Sequence, residues 1–155
     1  MIDRFERFSF AISEISRLWH KIATEEMKKY GLKGAHSLYL AAMHRFPDGI
    51  TAPKLGELCG KDKADVSRMM SIMEKKGLVK KEGIHQKLYR GTYLLTDEGK
   101  IAAEYVCRRS SLIVDAAGKG LTDEEREKIY EILNLIAGNL RDISENGLDS
   151  EDIFQ

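Results

Sequence analysis

The residues with the clearest chemical potential lie in one segment, Asp62 to Lys76. Wound at about 100° per residue, the segment puts Ala64, Arg68, Ser71 and Lys75 on one side of a helix and Val66, Met69, Met70 and Met73 on the other. The methionine side reads as a core face that packs on Leu55 and Leu58 of the preceding helix, not as a metal box. The other side suits a nucleic-acid duplex. The Arg68 guanidinium has the fork geometry for guanine O6 and N7, Ser71 donates or accepts, and Ala64 is small enough to let the backbone approach. Lys61, Lys63 and Ser67 flank this face, and the N-terminus of a helix favours a phosphate.

A second basic group follows. Lys80 and Lys81 stand at the base of an expected hairpin whose tip carries His85, Gln86, Lys87, Tyr89 and Arg90. A basic tip with one aromatic suits phosphate and minor-groove contact. For His85 and Gln86 a solvated charged loop is the plainer reading. The 155-residue chain is neutral, with 25 Lys and Arg against 25 Asp and Glu. That balance hides an asymmetry. From Gly60 to Arg90 nine cations face four acids, and beyond Gly120 ten acids face three cations. A basic middle on a neutral chain points to one face built for a polyanion.

Other chemistries find little footing. There is no phosphate loop, no Gly-x-Ser-x-Gly, no His-Glu-x-x-His and no catalytic acid–base pairing, so no enzyme is expected. Among the four histidines only His36 and His44 share a helix, eight residues apart, and no metal or cofactor is expected. Cys59 and Cys107 cannot form a disulfide framework; each reads as a small buried hydrophobe in a reducing, cytoplasmic setting. No apolar run approaches the ~18 residues of a membrane span, and the start MIDRFERFSF lacks the pattern of a signal peptide. Charged residues at 32% and apolar residues at 43% make a globular composition.

The elements that must position these residues are mostly helical. Phe5, Phe8, Ile12, Ile15, Trp19 and Ile22 recur at three and four, which predicts one helix over 3–30 that stops at Gly31. A second helix is expected over 35–46, with Leu38, Ala41, Ala42 and Met43 inward. Ile50-Thr51 is a short extended piece. Thr51 caps a short helix with Pro53 in its first turn, and the helix stops near Gly60. Asp62 caps the next helix, with Asp65 completing a variant capping box, and Gly77 ends it. Residues 78–81 and 91–95 form the hairpin. Thr96 caps a long helix to about Ala117, with Ala102, Tyr105, Val106, Leu112 and Ile113 as its apolar stripe. Thr122 and Glu125 open a last helix that ends at Asn146-Gly147. The fold class is therefore mainly α with a small β-hairpin wing: a winged helix-turn-helix flanked by long helices. Residues 35–96 are the DNA-binding unit, 97–117 a connecting helix, 1–34 and 118–147 a helical dimerisation region, and 148–155 an acidic tail.

The runs Leu55-Gly56-Glu57-Leu58, Val66-Ser67-Arg68-Met69, Met73-Glu74-Lys75-Lys76-Gly77-Leu78-Val79 and Leu95-Thr96-Asp97-Glu98-Gly99, in this order between long outer helices, resemble the MarR (multiple-antibiotic-resistance regulator) family of bacterial transcription factors. The resemblance covers about residues 3–146. Members usually carry an Asp-x-Arg pair in the wing; Lys87 and Tyr89 stand there in this chain, with Arg90 one place late. The resemblance implies a homodimer on a pseudo-palindromic duplex, and a small aromatic effector held between the dimer helices and the winged unit. Trp19, His20, Tyr39, Met43 and Phe46 are candidates to line that space, with ordinary core packing as the alternative. The uncovered Phe5, Phe8, Ile12, Ile132, Ile136 and Leu140 point independently to a second copy. The expected function is a ligand-responsive repressor. A winged helix used as a protein-interaction module, without operator binding, is the alternative.

Overall fold

The computed structural model describes residues 3–83 and 91–148. Its elements run α1 (Arg4–Met27), a 3-10 turn (Lys28–Tyr30), α2 (His36–His44), β1 (Ile50–Thr51), α3 (Ala52–Cys59), α4 (Lys63–Lys75), β2 (Val79–Glu82), β3 (Thr92–Leu95), α5 (Asp97–Ala117) and α6 (Asp123–Asn146). The chain divides into two compact units, Met1–Ser111 and Leu112–Gln155.

In the first unit the three strands form one antiparallel sheet in the order β1-β3-β2. Ile50 and Thr51, expected only as an extended piece, pair with Tyr93 and Thr92. The hairpin register sets Val79 opposite Leu95, Lys81 opposite Tyr93 and Glu82 opposite Thr92, so Glu82 belongs to the strand and not to the tip. The core gathers Met27, Leu32, Tyr39, Leu40, Met43, Leu55, Val66, Met70, Met73, Val79, Leu95, Ala102, Ala103 and Val106.

The inner face of α2 differs from the expected one. His36, Tyr39, Leu40 and Met43, at spacings of three, four and seven, are buried, whereas Leu38 is 49% exposed. Leu38 lies two residues from both His36 and Leu40, which is about 200° of rotation, so it cannot share their face. On α5 the buried positions are Gly99, Ala102, Ala103 and Val106, and Leu112 is exposed. The C-terminal end of α1 is tied to α5 by charge: Glu26 accepts from Tyr105 Oη at 3.0 Å and from Arg109 Nη2 at 2.8 Å. The Arg109 hydrogen bond, helped by Tyr105, holds the Glu26 carboxyl below its ordinary range against the opposing effect of burial.

One joint fixes the hairpin between α4 and α5. The helix α4 ends in a Schellman motif: Gly77 takes the left-handed conformation at φ 71, Gly77 N donates to Glu74 O, and Leu78 N donates to Met73 O. Thr96 N then donates to Leu78 O, and Thr96 Oγ1 donates to Gly77 O at 2.6 Å while accepting from Gly99 N at 3.0 Å. Gly99 has no side chain to keep it off the Leu78 carbonyl, and the backbones close to contact.

In the second unit Thr122 and Glu125 make the reciprocal capping box that the sequence announces. Arg126 reaches back to the carbonyls of Asp115 and Gly118. No residue of α6 is buried.

Candidate nucleic-acid interface

Helix α4 is amphipathic as its sequence requires. Val66, Met70 and Met73 are buried, Met69 and Ile72 are half-buried, and Lys63, Ala64, Ser67, Arg68, Ser71 and Lys75 are exposed. Lys61, in the turn between α3 and α4, is exposed beside them. That turn is tight. Lys61 N donates to Gly56 O, and a Cβ on Gly56 would stand 2.8 Å from Lys61 O. The pair α3–α4 is therefore a helix-turn-helix whose second helix presents a small, polar and cationic face, next to the β2–β3 hairpin.

Two local expectations are corrected. Asp62 caps α4, accepting from Asp65 N at 2.8 Å, but Asp65 does not return the bond to Asp62. Its carboxylate turns sideways instead. Oδ2 accepts from Tyr39 Oη at 2.9 Å, and Oδ1 accepts from Arg68 Nη2. An aspartate is one methylene shorter than the glutamate of the usual box, which shortens its reach to the cap nitrogen. The N-terminus of α4 is also less open to a phosphate than the sequence suggests, because the Asp62 carboxylate takes the Asp65 N–H and adds a negative charge there.

The Tyr39–Asp65–Arg68 chain runs from the core to the surface. Tyr39 is fully buried, the Asp65 side chain is 16% exposed and the Arg68 side chain 65%. Arg68 and then Tyr39 hold the Asp65 carboxyl below its ordinary range. Burial first, and the neighbouring Asp65 second, push the Tyr39 phenol well above its ordinary value, so it stays a donor at any working pH. The i, i+3 spacing of Asp65 and Arg68 is legible in the sequence; Tyr39 lies 26 residues away and is not.

At the hairpin, Lys80 pairs with Glu82 at 3.4 Å and Lys81 lies with Nζ 5.6 Å from the centre of the Tyr93 ring. Both remain exposed. Lys61, Lys63 and Lys75 form no ion pair among the described residues. Lys87, Tyr89 and Arg90, with His85 and Gln86, lie outside the described residues.

Of the five residues named for an effector space, two line a cavity among the described residues. Met43 and Phe46 line an open cavity of about 210 Å³ together with His44, Pro47, Leu95, Lys100 and Glu104. Tyr39 is committed to Asp65, and Trp19 and His20 stand exposed on α1. Among the described residues no group of three His, Cys, Asp or Glu could hold a metal, and no helix is long and apolar enough to cross a membrane.

Comparisons with known proteins bear on the same segment. Residues 30–84 match the model of the MarR family. The chain is 27% identical over 129 residues to the uncharacterized HTH-type transcriptional regulator YybA of Bacillus subtilis (strain 168), spanning 83% of this chain and 85% of that protein. Its fold is similar to that of the transcriptional regulator SlyA, with a TM-score of 0.78, 22% identity, and 86% and 93% of the two chains covered. It is equally similar to S. aureus MepR in a complex with DNA, with a TM-score of 0.77, 19% identity, and 86% and 97% covered. The family match falls on the helix-turn-helix and the first strand of the hairpin, so residues 30–84 are similar to the MarR family, and the winged helix-turn-helix fold agrees with these solved structures through most of the chain.

Proposed function

We propose that this protein is a homodimeric, sequence-specific regulator of transcription that lays α4 in the major groove of duplex DNA and follows the flanking phosphates with its wing. The observation that carries the reading is the exposed face of α4, where Lys63, Ala64, Ser67, Arg68, Ser71 and Lys75 stand opposite the buried Val66, Met70 and Met73, with Lys61 exposed in the turn before it. Arg68 reads a base pair, Ser71 and Ala64 set how closely the helix approaches, and the lysines, with Lys80, Lys81, Lys87, Tyr89 and Arg90 of the wing, contact the backbone. Such a protein works where the chromosome is, in the cytoplasm.

Dimerisation is supported by the apolar faces of the outer helices. On α1 only Met27 is buried, while Phe5, Phe8, Ile12, Ile15, Trp19 and Ile22 are exposed. On α6 Ile129, Ile132, Leu133, Leu140 and Ile143 are exposed. Apolar stripes of this length on a soluble chain fit a partner surface. A two-fold dimer reads half-sites about 10–10.5 base pairs apart, or a multiple of that. For the effector, the cavity beside Met43, Phe46 and Leu95 offers apolar walls with Lys100 and Glu104 among its polar groups, which fits a small aromatic molecule whose binding releases the duplex.

The test is selection of duplexes from a random-sequence pool, followed by titration of the selected site at increasing salt. Selection is expected to enrich a pseudo-palindrome. With about 6–10 phosphate contacts per dimer, affinity falls roughly 10³–10⁵-fold between 50 and 200 mM salt. A dimer that enriches no sequence and shows a flat salt response overturns the reading in favour of a protein-interaction module.

A further inference from the structure

Arg68 is the longest side chain on the face of α4 and is exposed, and a free arginine there has many rotamers to lose on docking. The structure narrows that freedom. Asp65, one turn back on the same helix, accepts from Arg68 Nη2 through one carboxylate oxygen. Its other oxygen is held by the hydroxyl of Tyr39, which belongs to α2 and is wholly buried. The Asp65 backbone is fixed in turn, because its N–H is donated to the Asp62 cap at 2.8 Å. The carboxylate is thus held through both of its oxygens.

An arginine held by one Nη2 hydrogen keeps four of its five N–H groups, and one of its two-pronged edges, Nη1–Nη2 or Nε–Nη2, stays whole with two parallel N–H groups. Those two suffice for a bidentate contact to guanine O6 and N7. The clamp and the base contact are compatible, and the first pre-orients the second. The position of an acid here is otherwise unfavourable. Asp65 stands on a face built for phosphates, where a negative charge weakens binding to every sequence alike.

We propose that Asp65, anchored by Tyr39, is the positioning residue that aims the Arg68 fork, and that it exchanges non-specific duplex affinity for discrimination at the base pair Arg68 reads. This rests on the reading of α4 as the major-groove helix. The consequence separates positioning from simple electrostatics. An acid that merely repels DNA, once removed, raises affinity for all duplexes and leaves the ratio of specific to random binding unchanged. An acid that aims Arg68, once removed, raises random binding and lowers the ratio.

The experiment takes the full chain, selects its preferred duplex from a random pool, and measures affinity for that duplex and for a scrambled one by fluorescence anisotropy. The variants are Arg68→Ala, Asp65→Ala, Tyr39→Phe and the double Asp65→Ala, Arg68→Ala. Arg68→Ala is expected to lower the specificity ratio roughly tenfold to a hundredfold. Asp65→Ala raises affinity for the scrambled duplex and lowers the ratio about tenfold, and the double variant loses little more than Arg68→Ala alone. Tyr39→Phe changes no charge and removes only the anchoring hydroxyl, so it lowers the ratio a few-fold with scrambled binding unchanged, which keeps the test valid if Asp65→Ala folds poorly. Equal gains by Asp65→Ala on both duplexes, with an unaltered ratio in Tyr39→Phe, overturn the positioning role and leave the groove reading intact. A wild-type chain that prefers no duplex overturns both.

Discussion

Replacing Gly99 with alanine tests the joint that holds the wing against α5. An alanine Cβ would stand 1.8 Å from Leu78 O, 2.9 Å from its carbonyl carbon and 3.3 Å from its Cα. Ordinary contact begins near 3.4 Å, so the backbones must part by about 1.6 Å, and the obstacle is main chain that cannot rotate aside. The same carbonyl accepts from Thr96 N, and parting the backbones costs that bond as well. Overpacking of this kind costs about 1–3 kcal/mol and the lost hydrogen bond about 1 kcal/mol. Better helix propensity returns about 0.5–1 kcal/mol. The expected net loss is about 1–3.5 kcal/mol, a sizeable share of a typical 5–15 kcal/mol. In a chain of this size that lowers Tm by roughly 2–14 °C. Urea denaturation followed by far-UV circular dichroism, at one fixed protein concentration, gives the difference directly. The control is Gly138→Ala in α6, where a Cβ meets nothing within 4 Å; it is expected to stabilise by about 0.5–1 kcal/mol. Equal midpoints for Gly99→Ala and the wild type refute the account of the joint.

Two further outcomes follow from buried titratable groups. His36 is buried, its Nε2 has no hydrogen-bond partner among the described residues, and desolvation pushes its pKa down, aided by the Lys33 charge and opposed by the Lys33 backbone and by Asp65. The unfolded chain therefore takes up the His36 proton first, and stability is complete above pH ~6.5 and falls as pH drops below it. Urea midpoints at pH 7.5 and about pH 5.5 are expected to separate more for the wild type than for His36→Gln; equal separations refute the assignment. Burial also raises the thiols of Cys59 and Cys107. Alkylation of Cys59 at neutral pH is expected to be at least about tenfold slower in the native chain than in urea, read by mass spectrometry, and equal rates would show that site open.

What the sequence disclosed and what it withheld divide along a physical line. The caps at Thr51, Asp62 and Thr122 were readable because a side chain meets a backbone N–H three residues away, wholly within one local segment. The faces of α4 were readable because Val66, Met70 and Met73 obey one period and no competing contact overrides it. The pairing of β1 with β3 joins Ile50 to Tyr93 across two helices and a hairpin, and no local pattern in a two-residue strand encodes it. On α2 the error came from treating Leu38 as inward on hydrophobicity alone, when the rotation that buries His36, Tyr39 and Met43 turns it outward.

The Asp65 site shows the same division at the scale of one residue. Sequence logic offered Asp65 a local partner, the backbone of Asp62, three residues back and part of a known motif. The fold supplied two stronger ones: a cation one turn on and a phenol from α2 whose buried hydroxyl has to donate to something. A charge-assisted bond to arginine outweighs a return bond to an exposed cap, and an unsatisfied Tyr39 hydroxyl in the core would cost about 1–3 kcal/mol. The carboxylate therefore leaves the cap. Its new position places a core residue, Tyr39, in contact through a single side chain with the residue best suited to read a base. The placement of α2 and the orientation of Arg68 are thereby one problem, and a change that shifts α2 reaches the face of α4 through the Tyr39 hydroxyl.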